Sequence, residues 1–152
     1  MVSIETKDLS DRMNRRIEAL LANPHAGSAC FKFNHPDAVY VSNCHGTTLY
    51  VFDLAKDRRH PEVYDAMEVE KTMQTEFVPS DRFLPGELVS FYYKEGGKDI
   101  LYHTGVKLND RDRIFHQSGS GGLFEIKAIE DQRRLSHIIF QTEINVRSFR
   151  RK

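Results

Sequence analysis

From residue 88 onward, short runs of β-branched and aromatic residues alternate with tight turn-forming groups, and this pattern limits the fold more than any other feature. The runs cover 88–93, 100–108, 113–117, 123–129 and 135–142. Between them stand Glu95-Gly96-Gly97-Lys98-Asp99, Asn109-Asp110-Arg111-Asp112, and the segments 119–122 and 130–134. Connections this short make consecutive strands antiparallel neighbours. The second half of the chain therefore reads as a meander.

The first half reads as helical. Ser10 is placed to cap a helix over 11–22, where Met13, Ile17, Leu20 and Leu21 form one apolar stripe. Asn23-Pro24-His25-Ala26-Gly27 ends it, and 28–43 reads as irregular with extended pieces at 30–33 and 38–41. A second helix starts at Cys44, with Leu49, Phe52 and Leu54 available for burial. Pro61 suits the first turn of a third, with Val63, Ala66, Met67 and Met73 as its inner face. Residues 79–86 read as loop. Helices first and a meander second predict an α+β fold, with the N-terminal helices packed on one face of a five- to six-stranded antiparallel sheet.

No repeat or Pro/Gly-rich linker divides the 152 residues, so one domain over 1–152 is expected. Lys plus Arg and Asp plus Glu are both 22, giving zero formal net charge, which argues against a nucleic-acid partner. Only the tail from Arg147 to Lys152 is locally basic, and it reads as a solvated end. No apolar run approaches the roughly 18 residues of a membrane span, so no membrane insertion is expected. The first residues mix both charges without an apolar signal core. A chain made in the cytoplasm is expected, with any export by a specialised route. Cys30 and Cys44 are then expected as free thiols, Cys30 in a structural role.

Cys44 stands where loop becomes helix, and a helix N-terminus offers unpaired N–H groups and a partial positive charge. Both favour thiolate, and the same N–H groups can receive an oxyanion. On the 100–108 strand, Thr104, Val106 and Leu108 share one face, while His103, Gly105 and Lys107 share the other. With the apolar set on the core, His103 points away from it, and Gly105 leaves room for another group. His103 is thereby a candidate base for the Cys44 thiol. Pairing across the 109–112 turn brings His116 beside it, where a second imidazole can orient the first.

These segments resemble the NlpC/P60 cysteine peptidases, a papain-like family. Asn43-Cys44-His45-Gly46 followed by an apolar helix resembles the family's nucleophile segment. Pro85-Gly86-Glu87-Leu88-Val89-Ser90-Phe91 is similar to its next strand. His103-Thr104-Gly105-Val106-Lys107-Leu108 and then Ile114-Phe115-His116 resemble its histidine strands. The resemblance covers about residues 38–128 and is carried by the order and spacing of the pieces. It implies a papain-like NlpC/P60 fold, with Cys44 as nucleophile, His103 as base and His116 as the orienting residue. Asn43 stands for the family's usual Asp and His45 for its Ser, so both become substrate-facing wall residues. The family's upstream Gly-rich stretch is not recognisable, and Tyr40 is the candidate for its substrate-facing tyrosine.

The implied activity is cleavage of an amide or peptide bond through a thioacyl-enzyme, with bacterial cell-wall stem peptides as the expected substrate. A delivered effector acting on a protein amide, a papain-like thiol acyltransferase and an inactive binding module remain open. An effector would also have an immunity or inhibitor protein as partner. No cofactor is expected. Cys and His are good zinc ligands, but no short-spaced pair accompanies Cys44, His103 and His116, so no metal is expected either. The glycine-rich 117–122 stretch lacks the Lys-Ser/Thr ending and following helix of a phosphate loop, and reads as a loop rimming the cleft.

Overall fold

Helix α1 (Asp11–Ala22) begins where Ser10 accepts a hydrogen bond from the Met13 N–H, and its apolar stripe buries Ile17 and Leu20. The computed structural model describes residues 10–29, 35–108 and 111–152. Cys30, the extended piece expected at 30–33, and Asn109 and Asp110 of the turn at 109–112 lie outside the described residues.

Helix α2 (Cys44–Val51) buries every residue except Tyr50. The helix's buried His45 and Thr47 find polar partners inside, His45 on Thr104 and Thr47 on Gln117. Its N-cap Asn43 accepts from the Gly46 N–H at 2.9 Å, while its amide clasps Tyr64. Gly46 is required by this packing, because a Cβ there would lie 1.6 Å from the Glu62 carbonyl oxygen.

Helix α3 (Ala66–Glu76) starts five residues later than Pro61 predicts. Asp65 and Glu68 form a reciprocal capping box that satisfies two otherwise unpaired N–H groups, whereas a proline merely tolerates a first turn. Val69 and Met73 consequently face inward, and Val63 and Met67 are exposed.

The strands are β1 (Phe77–Pro79), β2 (Leu88–Glu95), β3 (Lys98–Lys107), β4 (Arg113–Gln117), β5 (Phe124–Ala128) and β6 (Asn145–Arg151). They form one antiparallel sheet in the order β1-β6-β2-β3-β4-β5. The fold is α+β, and the expected meander is its β2–β5 portion.

Two expectations about the second half of the chain are corrected. The 135–142 run is not a strand but lies largely within helix α4 (Ile129–Phe140). Its inward positions, Ile129, Gln132, Ser136 and Phe140, follow helical spacing, and the adjacent Ile138 and Ile139 that mimic a strand are exposed. Acidic Glu130 and Asp131 in the first turn and His137 in the last complement the helix dipole. Second, the basic tail is not a solvated end but supplies β6, which lies between β1 and β2 and buries Ser148 and Phe149. Its charge is met by neighbours, with Arg147 2.9 Å from Asp81 and Arg151 3.6 Å from Glu76. The N-terminal helices cover one face of the sheet as expected, and α4 adds a cover on the other. Residues of α1, α2 and α3 pack with Leu88, Val106, Phe115 and Phe149. Ile129 and Phe140 of α4 pack with Val89, Phe91 and Ile114 on the other side.

One irregularity positions the site. The β2–β3 register pairs Phe91 with His103 but Tyr92 with Leu101, leaving Tyr102 as an extra residue on β3. The bulge reverses the alternation at this point, so Tyr102 and His103 turn to the same side despite being adjacent. No helix among the described residues is long and apolar enough to cross a membrane.

Candidate active site

The bulge opens onto a cleft of about 640 Å³. Its walls come from the N-terminal ends of α2 and α3, from Tyr102 and His103, from the 118–120 loop, and from α4. The loop expected to rim a cleft does so.

Cys44 lies at the first position of α2 and lines this cleft, its sulfur 3.9 Å from the Tyr102 carbonyl oxygen. The helix N-terminus does not make it a resting thiolate. Burial pushes the thiol up to about 11, against the opposing pull of the Thr104, His45 and Cys44 backbone N–H groups. Desolvation of a buried sulfur outweighs three amide dipoles. Alkylation of Cys44 by iodoacetamide should therefore rise about tenfold per pH unit from pH 7 to 10, since only the thiolate reacts. Intact-mass kinetics measure it, and a rate already level at pH 6 would show a stabilised thiolate instead.

His103 is buried and lines the same cleft. Its Nε2 lies 2.6 Å from Nδ1 of His116, the rings meeting edge to face. The strand alternation places both histidines on one face, as expected. The space beside Gly105 serves a different approach from the one expected, because a Cβ there would meet Ile114 and His116 of β4. Glycine lets the second histidine strand close in; it does not make room for the sulfur. His116 is fully buried, and its Nε2 lies 3.0 Å from Oε1 of Glu125 on β5.

Burial holds His103 well below the usual histidine range, helped by His116, His45 and Lys127. Burial also lowers His116, with Glu125 opposing. His45, expected as a wall residue, is a buried one whose Nδ1 lies 2.9 Å from Thr104 Oγ1, and burial lowers it to about 4. All three imidazoles are neutral at pH 7. Asn43 lines the cleft while capping α2 and holding Tyr64. Tyr40 is not among the cleft-lining residues; it packs against the main core and stacks on His60 at 4.4 Å.

Three residues escape the sequence reading. Glu125 and Lys127 sit at alternate positions of β5, which pairs His116 with Glu125 and Ile114 with Lys127. Only that register, set by the intervening loop, reveals them. Gln117 is fully buried and ties the cleft loops to α2. Among the described residues no group of three or more His, Cys, Asp or Glu side chains is arranged to hold a metal ion.

No protein-family model matches the chain, and no curated protein matches it significantly. A solved structure described as similar to lipoprotein, NLP/P60 family, from Staphylococcus aureus subsp. aureus Mu50 is similar to it at a TM-score of 0.42 and 14% identity. The similarity covers 84% of this chain and 45% of that one, so the chain spans less than half of that protein's length.

Proposed function

We propose that this protein is a cysteine hydrolase that cleaves an amide or peptide bond through Cys44, His103 and His116. The observation that carries this reading is a cleft lined by both a helix-start cysteine and a histidine whose far nitrogen is held by a second, buried histidine. With Nε2 of His103 occupied, Nδ1 is the nitrogen available to the thiol. As the sulfur attacks the substrate carbonyl carbon, the thiol proton passes to His103 Nδ1, and a tetrahedral oxyanion forms. Backbone N–H groups at the start of α2 are donors of the right kind for that oxyanion. The oxyanion collapses, the carbon–nitrogen bond breaks, and His103 returns the proton to the leaving amine. Water then attacks the thioester with His103 again as base, releasing the acid and the free thiol. Because the resting pair is neutral thiol and neutral imidazole, proton transfer accompanies attack rather than preceding it.

Peptidoglycan stem peptides are the proposed substrate. The motif resemblance supports this, and so does Lys127, a cation lining the cleft and suited to a substrate carboxylate. Incubation with muropeptide fragments and mass spectrometry of the products tests it. Cleavage within the stem peptide is expected, and intact fragments beside an active-site adduct at Cys44 would redirect the substrate but not the chemistry. A second reading, acyl transfer, is favoured by the apolar wall of Leu135, Ile139 and Phe140, of which Leu135 and Ile139 are exposed. An acyl group moved from an activated ester to an amine acceptor, with no muropeptide cleavage, would select it.

His116→Ala should lower kcat about 100-fold, because an unoriented His103 reaches the productive state only part of the time. His116→Asn or His116→Gln should restore part of this, since an amide oxygen accepts the same N–H. Turnover measured beside a melting curve decides; wild-type rates in all three variants would reduce the machinery to Cys44 and His103.

A further inference from the structure

The row of side chains does not end at His116. We infer that Glu125 is the positioning residue that sets the tautomers of both histidines from the far end of the row, Glu125–His116–His103, and so decides whether Nδ1 of His103, the nitrogen left for the thiol, is free of a proton. The inference rests on the hydrolase reading for its consequence, though not for its geometry.

The proton positions follow in sequence from Glu125. A carboxylate only accepts hydrogen bonds. Oε1 of Glu125 lies 3.0 Å from His116 Nε2, so that nitrogen carries the proton. A neutral imidazole has one proton, which leaves His116 Nδ1 as an acceptor. His103 Nε2, 2.6 Å away, must then be the donor. The single proton of neutral His103 is thereby fixed on Nε2, and its Nδ1 presents a lone pair, the form a base for Cys44 needs.

Without an acceptor at position 125 the opposite arrangement becomes available. His116 can then carry its proton on Nδ1 and donate it to His103 Nε2, which moves the His103 proton to Nδ1. In that state the nitrogen meant to receive the thiol proton already holds one. The two arrangements have the same number of hydrogen bonds between the rings, so the rings alone do not choose. Glu125 chooses.

The fold holds Glu125 for this task. It pairs directly with His116 in the β4–β5 register, and Phe124 beside it is buried, which anchors β5. The carboxylate keeps partial contact with solvent, its side chain being 32% exposed, whereas the imidazole it holds is fully buried. It can therefore carry its charge without the full cost of burying an ion.

The test compares full-length wild type with Glu125→Leu and Glu125→Gln by nitrogen-15 NMR of the histidine rings and by steady-state kinetics on muropeptide fragments. In wild type both His103 and His116 should be protonated on Nε2. Glu125→Leu should show a population protonated on Nδ1 in both rings, with kcat about 10- to 100-fold lower, KM within twofold and the fold retained. Glu125→Gln should return most of kcat and the wild-type tautomers, because its amide oxygen can accept the same proton. Unchanged tautomers in Glu125→Leu would overturn the inference, as would a kcat loss that Glu125→Gln does not relieve. The NMR arm needs no substrate, so absence of muropeptide cleavage by wild type would count against the hydrolase reading alone. An active wild type with an unaltered Glu125→Leu would count against the relay alone.

Discussion

Cys44→Ala is expected to remove turnover, by a factor on the order of 10⁴ or more, while leaving the chain folded. Removing a nucleophile takes away the covalent route, and what survives is binding and oxyanion stabilisation. The fold should tolerate the change because the sulfur's polar contacts are weak ones, 3.9 Å to the Tyr102 carbonyl oxygen and the pull of the Thr104, His45 and Cys44 N–H groups, and alanine leaves no unsolvated charge among them. The helix N-cap belongs to Asn43, which the substitution leaves in place. Loss of one buried sulfur costs about 1 kcal/mol of packing. Cys44→Ser should be nearly as inactive, since a neutral imidazole that manages a thiol of about 11 is poorly matched to a far weaker acid. Cys30→Ala should keep most of the activity. Product formation and covalent labelling of the three variants, beside melting curves, check the set; an inactive Cys30→Ala with an active Cys44→Ala would reverse the assignment of the nucleophile.

The largest expected effect on stability comes from replacing Gln117. This side chain is fully buried and uses all its capacity. Its Oε1 accepts from Ser42 Oγ at 2.6 Å and Thr47 Oγ1 at 2.8 Å, and its Nε2 donates to the Gly122 and Gly27 carbonyls at 2.9 and 3.3 Å. The amide cannot be turned over, because that would set its oxygen against two carbonyl oxygens. Leucine is of similar size but leaves the two hydroxyls without their acceptor, while the Gly122 and Gly27 carbonyls lose one donor each and keep the Ser28 hydroxyl and the Ser42 N–H. At about 1 kcal/mol or more for each stranded hydroxyl and less for each carbonyl that loses one of two donors, the loss is roughly 2–4 kcal/mol. For a domain of this length, that lowers Tm by about 10 °C. Gln117→Glu keeps the acceptor but sets a buried carboxylate oxygen against the same two carbonyls, so it should destabilise at least as much as leucine. Thermal unfolding followed by circular dichroism measures all three, and a Gln117→Leu protein melting within about 2 °C of wild type would refute the role of this hub.

Legibility in the sequence followed the range of the interaction. Helix α1 was readable because Ser10 and the Met13, Ile17, Leu20 stripe are local signals, complete within twelve residues. The β2–β5 meander was readable because each turn is short and each strand carries its own alternation. The same alternation places His103 and His116 on one face, where their rings meet. Where two local signals competed, the stronger bond prevailed: the Asp65–Glu68 capping box set the start of α3 over Pro61. At 135–142, adjacent Ile138 and Ile139 imitate a strand, and only the buried Gln132 and Ser136 disclose the helix. The arginines of β6 disguised a strand whose partners, Asp81 and Glu76, are far away in sequence.

The sequence by itself therefore determined the elements whose signals are short-range: the first helix, the cysteine at the head of the second, the antiparallel meander and the shared face of the two histidines. Only the tertiary structure decided what depends on register, burial and the second layer. The bulge at Tyr102 turns two adjacent residues into one cleft, and α4 covers the face left open in the sequence reading. Glu125 reaches His116 through a pairing that no spacing rule supplies. Burial, finally, reversed the charge state expected of Cys44, because the cost of desolvating a thiolate is a property of everything packed around it and of no residue beside it in the chain.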